Sequence, residues 1–103
     1  MKATIVTKNS TDRQNEFRAR SRARGTFINL GYKCIVAPYH KNFFNLVCFK
    51  PKEVLLLRVL HADKFDPVVW EHEIKAIKQY SFPPHIRAEL WVWVGNEGWA
   101  ING

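Results

Sequence analysis

With 103 residues, of which 47% are hydrophobic and 14% aromatic, the chain suits a single domain with one core, spanning residues 1–103. That composition excludes a disordered chain, and no run approaches the roughly 18 uninterrupted apolar residues of a membrane span. The net charge of +7 is uneven: residues 1–61 hold twelve of the sixteen Lys/Arg and three of the nine acids, which points to a polyanion such as nucleic acid, against the plainer reading of a basic soluble surface.

In chain order, the opening MKATIVTKNST lacks the long apolar segment of a signal peptide, so a cytoplasmic protein without a membrane partner is expected. Ala3–Thr7 alternates weakly and reads as a short edge strand. Thr11-x-x-Gln14 then has the form of a capping box, opening a helix from about Asp12 to Leu30. Arg18, Arg20, Arg22 and Arg24 alternate along it, so they cannot all lie on one side, and some must face the sheet or its mouth. Gly25 suggests a close approach or a break, and Gly31 a C-cap.

Tyr32–Ala37 reads as the first main strand and the loop to Asn42 leads into a second, Phe43–Phe49. Lys50-Pro51-Lys52-Glu53 joins this to a third, Glu53–Ala62. Its core, Val54–Leu60, is apolar at every position but one, as a central strand covered on both faces should be. The exception is Arg58, whose guanidinium must find an anion, a hydrogen-bonding partner or an open cleft. Asp66-Pro67 starts a second helix, to about Tyr80, with Trp70, Ile74 and Ile77 on its inner face. After Pro83-Pro84, His85–Val94 is a strand with Leu90, Val92 and Val94 on one face and Trp91 and Trp93 on the other. Trp99–Ile101 returns as an edge strand. The fold class is therefore α/β (α+β), an α-β-β-β-α-β core whose central mixed sheet is flanked by helices.

Certain residues in this order carry a family resemblance: Leu30-Gly31-Tyr32-Lys33-Cys34, Asn45-Leu46-Val47, Leu57-Arg58-Val59-Leu60, Pro83-Pro84 and Glu89-Leu90-Trp91-Val92-Trp93. Over residues 12–95 the chain resembles the PD-(D/E)XK nucleases, a restriction-endonuclease-like fold, and within them the small proteins related to archaeal Holliday-junction resolvases. The resemblance implies a divalent metal held by a strand Asp, a strand Glu or Gln and often a helix Glu, with a Lys orienting the attacking water. At those positions this chain has Asn45, Arg58, Arg20 and Leu60, with Glu16 one turn before Arg20 as a possible remnant. Neutral, cationic and apolar groups cannot assemble the hard oxygen ligands Mg²⁺ needs. No catalytic residue and no cofactor is therefore expected, Mg²⁺ entering only if relocated carboxylates such as Glu16 and Glu53 keep a nuclease active.

The expected function is a catalytically inactive nuclease-fold protein that binds nucleic acid, with double-stranded or branched DNA as the expected partner and a homodimer, as in resolvase relatives, as a further option. Arg58 and Arg20 would floor a metal-free phosphate cleft, a guanidinium fork matching phosphate. Arg58 could instead form an internal salt bridge to Glu16 or to an exposed carboxylate. Arg13, Arg18, Arg22, Arg24, Lys50 and Lys52 complete the basic surface, with His40 and Lys41 in the loop. The two hairpin lysines read equally as solvated groups, and His40 reads first as a solvated loop residue. His61, His72 and His85 are scattered and lack metal spacing. Trp91 and Trp93 are core residues or, if exposed, a dimer surface. Cys34 and Cys48 read as small buried hydrophobes, a disulfide being disfavoured in a reducing compartment. The alternatives are a viral or mobile-element protein-interaction module on the same fold, and an active metal-dependent endonuclease.

Overall fold

The computed structural model describes residues 2–37, 42–95 and 97–103, with side chains from Gln14 onward. Its elements are α1 (Lys2–Asn29), β1 (Lys33–Val36), β2 (Leu46–Lys50), β3 (Glu53–Ala62), α2 (Pro67–Lys78), β4 (Ile86–Val94) and β5 (Gly98–Asn102). The five strands lie in the spatial order β1-β2-β3-β4-β5. Neighbours are antiparallel except β3 and β4, which run parallel and are joined by the α2 crossover. The expected α-β-β-β-α-β order around a mixed sheet is present, with β5 as the returning edge strand.

The N-terminal edge strand is not. Residues 3–7 lie inside α1, so Thr11 and Gln14 are interior helix positions and form no capping box. Thr, Ile and Val cost only about 0.5 kcal/mol each relative to Ala in a helix, and extending an existing helix needs no new nucleus. Gly25 marks neither a break nor a close approach, because a Cβ there would meet nothing within 4 Å.

The C-terminus of α1 is built as its sequence suggests. Gly31 takes φ 91°, its N–H donates to the Ile28 carbonyl (3.0 Å), and the Tyr32 N–H donates to the Phe27 carbonyl (3.0 Å). This pair of bonds is a Schellman motif, and the accompanying apolar contact is the Phe27–Tyr32 ring pair, edge to face at 5.4 Å. The chain is thereby turned back into β1 beneath its own helix. At the start of α2, Asp66 accepts from the Val68 and Val69 N–H groups, with Pro67 at the first helical position.

The sheet separates two cores. On one face Leu46, Cys48, Leu55, Leu57, Val59 and Trp91 pack under Ala19, Ala23 and Phe27 of α1. The two alanines let the helix sit close to the strands. On the other face Leu90, Val92 and Val94 meet Trp70, Ile74 and Ile77 of α2. The alternation of β3 divides its side chains between the two helices, and that division decides the fate of Arg58.

Expected as strand from Phe43, the second run pairs only from Leu46. Phe43 and Phe44 both reach Tyr80, with ring centroids at 5.5 and 5.2 Å. Two consecutive residues of an extended strand would point to opposite faces and could not share one neighbour in this way.

Candidate nucleic-acid interface

Four positions were aligned with a catalytic centre, and they do not share a cleft. Arg58 pairs with Leu90 in the β3–β4 register and is directed to the α2 side, with Leu60. There its Nε donates to Glu73 Oε1 (3.1 Å), Nη2 to Glu73 Oε2 (3.3 Å) and Nη1 to the Phe43 carbonyl (3.0 Å). The guanidinium also lies 4.4 Å from the Phe43 ring centroid. Arg58 and Glu73 side chains are only 22% and 15% exposed. The internal salt bridge is thus present, with Glu73 on α2 as its acid and not Glu16. The expected floor shared by Arg58 and Arg20 is corrected by the period of a strand: α1 covers Leu57 and Val59, so Arg58 between them must face away.

Asn45 is 3% exposed and fully occupied. Its Nδ2 donates to the Val59 carbonyl and its Oδ1 accepts from the Val59 N–H, both at 2.8 Å. The Asn45 N–H already donates to the Leu57 carbonyl (2.9 Å), and the side-chain amide adds one further rung to the ladder at Val59. A carboxylate at this position could accept from the N–H but, ionised, could not donate to the carbonyl. Leu60 packs against the α2-side core. Arg58 and Leu60 thus face α2, while Asn45 is bonded to the β3 backbone.

The arginines of α1 divide as their spacing requires. Arg20 is 7% exposed on the sheet side, where Nη1 meets the Ala37 carbonyl at 3.5 Å and the guanidinium lies 5.8 Å from the Phe17 ring. Arg18 and Arg22, one turn apart, stand on the flank facing the ends of β3 and β4. Arg22 lies over the Trp93 ring at 4.2 Å. Together with Asn15, Ala19, His61 and Trp93 they line a crevice of about 150 Å³. His61 also borders an adjoining hollow of about 220 Å³ with Glu16, Ala62 and Asp63. Both hollows open where the parallel strands β3 and β4 end, and sheets with helix crossovers bind ligands outside the carboxyl ends of such strands.

The remaining basic residues lie elsewhere. Arg24 is exposed, and its carbonyl meets the Cys34 thiol at 4.0 Å. Lys50 sits over the Tyr32 ring at 4.4 Å, and Lys52 is exposed in the β2–β3 turn. His40, Lys41 and the Arg13 side chain lie outside the described residues. Among the described residues no three His, Cys, Asp or Glu groups converge as a metal site. The two carboxylates considered for an active nuclease are not brought together. Glu16 borders the crevice near the end of β3, while Glu53 begins β3 and binds the Tyr32 hydroxyl and Arg87.

His61, Trp93, Asn15 and Asp63 were not singled out as site residues. Part of the signal for His61 was available: continuing the alternation Leu55, Leu57, Val59 puts residue 61 on their face, and the structure sets α1 over that face. Trp91 is a core residue, its ring tilted against Phe27 at 4.9 Å. Trp93 is half-buried and lines the crevice with its ring under Arg22, backed by Trp99 at 5.1 Å. Two guanidinium groups, an imidazole and an indole suit a phosphate flanked by a flat ring. No protein-family model, curated protein or solved structure matches this chain.

Proposed function

We propose that this chain binds nucleic acid without a divalent metal, on a scaffold resembling the PD-(D/E)XK nucleases. Contact is made at the crevice between α1 and the ends of β3 and β4. The observation that carries the reading is the placement of Arg18, Arg22, His61 and Trp93 around one opening. Arg18 and Arg22 provide donor forks for consecutive phosphates, and the Trp93 ring backs the Arg22 guanidinium. Duplex or branched DNA is the proposed partner. Asn45, held by both its bonds to Val59, serves as scaffold in place of a metal ligand.

Gel-shift titrations on duplex, single-stranded and four-way DNA in EDTA test the reading. Binding is expected without metal, and Arg18→Ala/Arg22→Ala should reduce the slope of log affinity against log salt by about 2. Arg58→Ala should lower thermal stability, by stranding Glu73, while leaving that slope unchanged. Unaltered affinity in the double variant would overturn the proposal. So would Mg²⁺-dependent nicking abolished by Glu16→Gln, which would establish the active nuclease.

One observation favours a second reading, a protein partner that includes a second copy of the chain. Ile35 and Val36, on edge strand β1, are 57% and 44% exposed, and an apolar edge invites strand pairing. A concentration-dependent dimer in light scattering, lost in Ile35→Lys, would support it.

A further inference from the structure

Cys34 and Cys48 are direct partners in the β1–β2 register. Opposed residues of an antiparallel pair have Cα atoms about 4.5–5.5 Å apart, within the span a disulfide bridges. Their sulfurs are 2.8 Å apart, one thiol hydrogen-bonded to the other. Both cysteines are free. Closing that separation to a bond needs about 0.8 Å of approach, which thiol rotation and a small strand adjustment supply.

The two thiols differ in a way that orders their chemistry. Cys48 is wholly buried in the α1-side core, whereas Cys34 is half-buried on an edge strand. Burial and the contact with Cys34 push the Cys48 thiol well above its ordinary range, with the Arg24 cation opposing weakly. The accessible sulfur is therefore the one that meets an oxidant, and the protected one is held beside it as the resolving partner. Read as small core hydrophobes, both residues would fill space equally well without facing each other.

We propose that Cys34 and Cys48 are a reversible covalent modification site, forming a cross-strand disulfide when a hydroperoxide oxidises Cys34. The Cys34 thiolate attacks the terminal peroxide oxygen, giving a sulfenic acid and releasing water or an alcohol. Cys48 then attacks the sulfenic sulfur, its proton leaving with the displaced hydroxide as water. Two thiols and one hydroperoxide become one disulfide, water and the reduced co-product. A small dithiol reverses the change by exchange. The bond ties edge strand β1 to β2 beneath Ala19, Ala23 and Phe27, and closes the loop 34–48 that carries Asn45. This inference is independent of nucleic-acid binding.

The test uses the full chain, reduced and then treated with hydrogen peroxide at a small molar excess. Free thiols should fall from two to none, intact mass should drop by two hydrogens, and the protein should stay monomeric on non-reducing gels. Dithiothreitol should restore both thiols. The melting temperature of the oxidised form should rise by roughly 10 °C. Cys34→Ser, a conservative change on the edge strand, should keep one thiol that resists peroxide. Mass gain by oxygen without loss of hydrogen, a cross-linked dimer, or thiols that survive treatment would each overturn the proposal.

Discussion

Replacing Asn45 by Asp puts a carboxylate where the side-chain amide stands, and the geometry around Asn45 sets its consequence. The Val59 N–H keeps an acceptor, but the Val59 carbonyl loses its 2.8 Å donor and faces a second oxygen. A stranded buried acceptor costs about 1–3 kcal/mol, and holding an ionised carboxylate in a site 3% exposed adds more. Asn45→Asp should therefore destabilise the fold by about 3 kcal/mol at neutral pH, a fall in melting temperature of roughly 10–25 °C. Only the protonated carboxyl can donate to the carbonyl, so its pKa in the folded variant is raised above the unfolded value of about 3.9. A raised folded pKa means the loss is smallest below that unfolded value and grows as pH rises through the folded one. Thermal melts at several pH values, with EDTA or Mg²⁺, read the outcome. A variant as stable as wild type at neutral pH, or one restored by Mg²⁺, would refute the assignment of Asn45 to the sheet.

Two further outcomes follow from local structure. Gly25→Ala should stabilise the protein by about 1 kcal/mol, since the site is helical and open, whereas Gly31→Ala should destabilise it by about 1–2 kcal/mol because φ there is 91°. Paired chemical denaturation curves would check both, and equal effects would contradict the helix limits given above. The Tyr32 phenol, bonded to Glu53, ionises above the ordinary tyrosine range, first because of that bond and then because of burial. Its contribution to stability is complete below the unfolded value and is lost as pH rises through the folded one. An NMR titration of the tyrosine ring carbons should show Tyr32 moving toward the ordinary range in Glu53→Gln.

The chain's basic asymmetry, its element order and most strand limits were legible because local patterns carry them. The apolar run 54–60, the Asp66-Pro67 start of α2, the Gly31 cap and the separation of Leu90 from Trp91 each depend on neighbours within a few residues. The N-terminal strand failed for the converse reason: β-branched residues tolerate a helix at small cost, and these residues extend a helix already nucleated.

The site was far less legible. Periodicity says that Arg58 and Leu60 share a face and that Leu57 and Val59 share the other; it cannot say which helix covers which. Only packing placed α1 over Leu57 and Val59, and so sent Arg58 to Glu73, fifteen residues along the chain. The same packing carried His61 to Arg18 and Arg22, set Trp93 beneath a guanidinium, and turned Asn45 onto the Val59 backbone. Pairings of this kind are made between elements, so their free energy resides in contacts that a linear pattern does not record. Composition determined the charge of the chain and spacing determined its elements; the tertiary structure alone decided which cations are neutralised inside the fold and which stand at its opening.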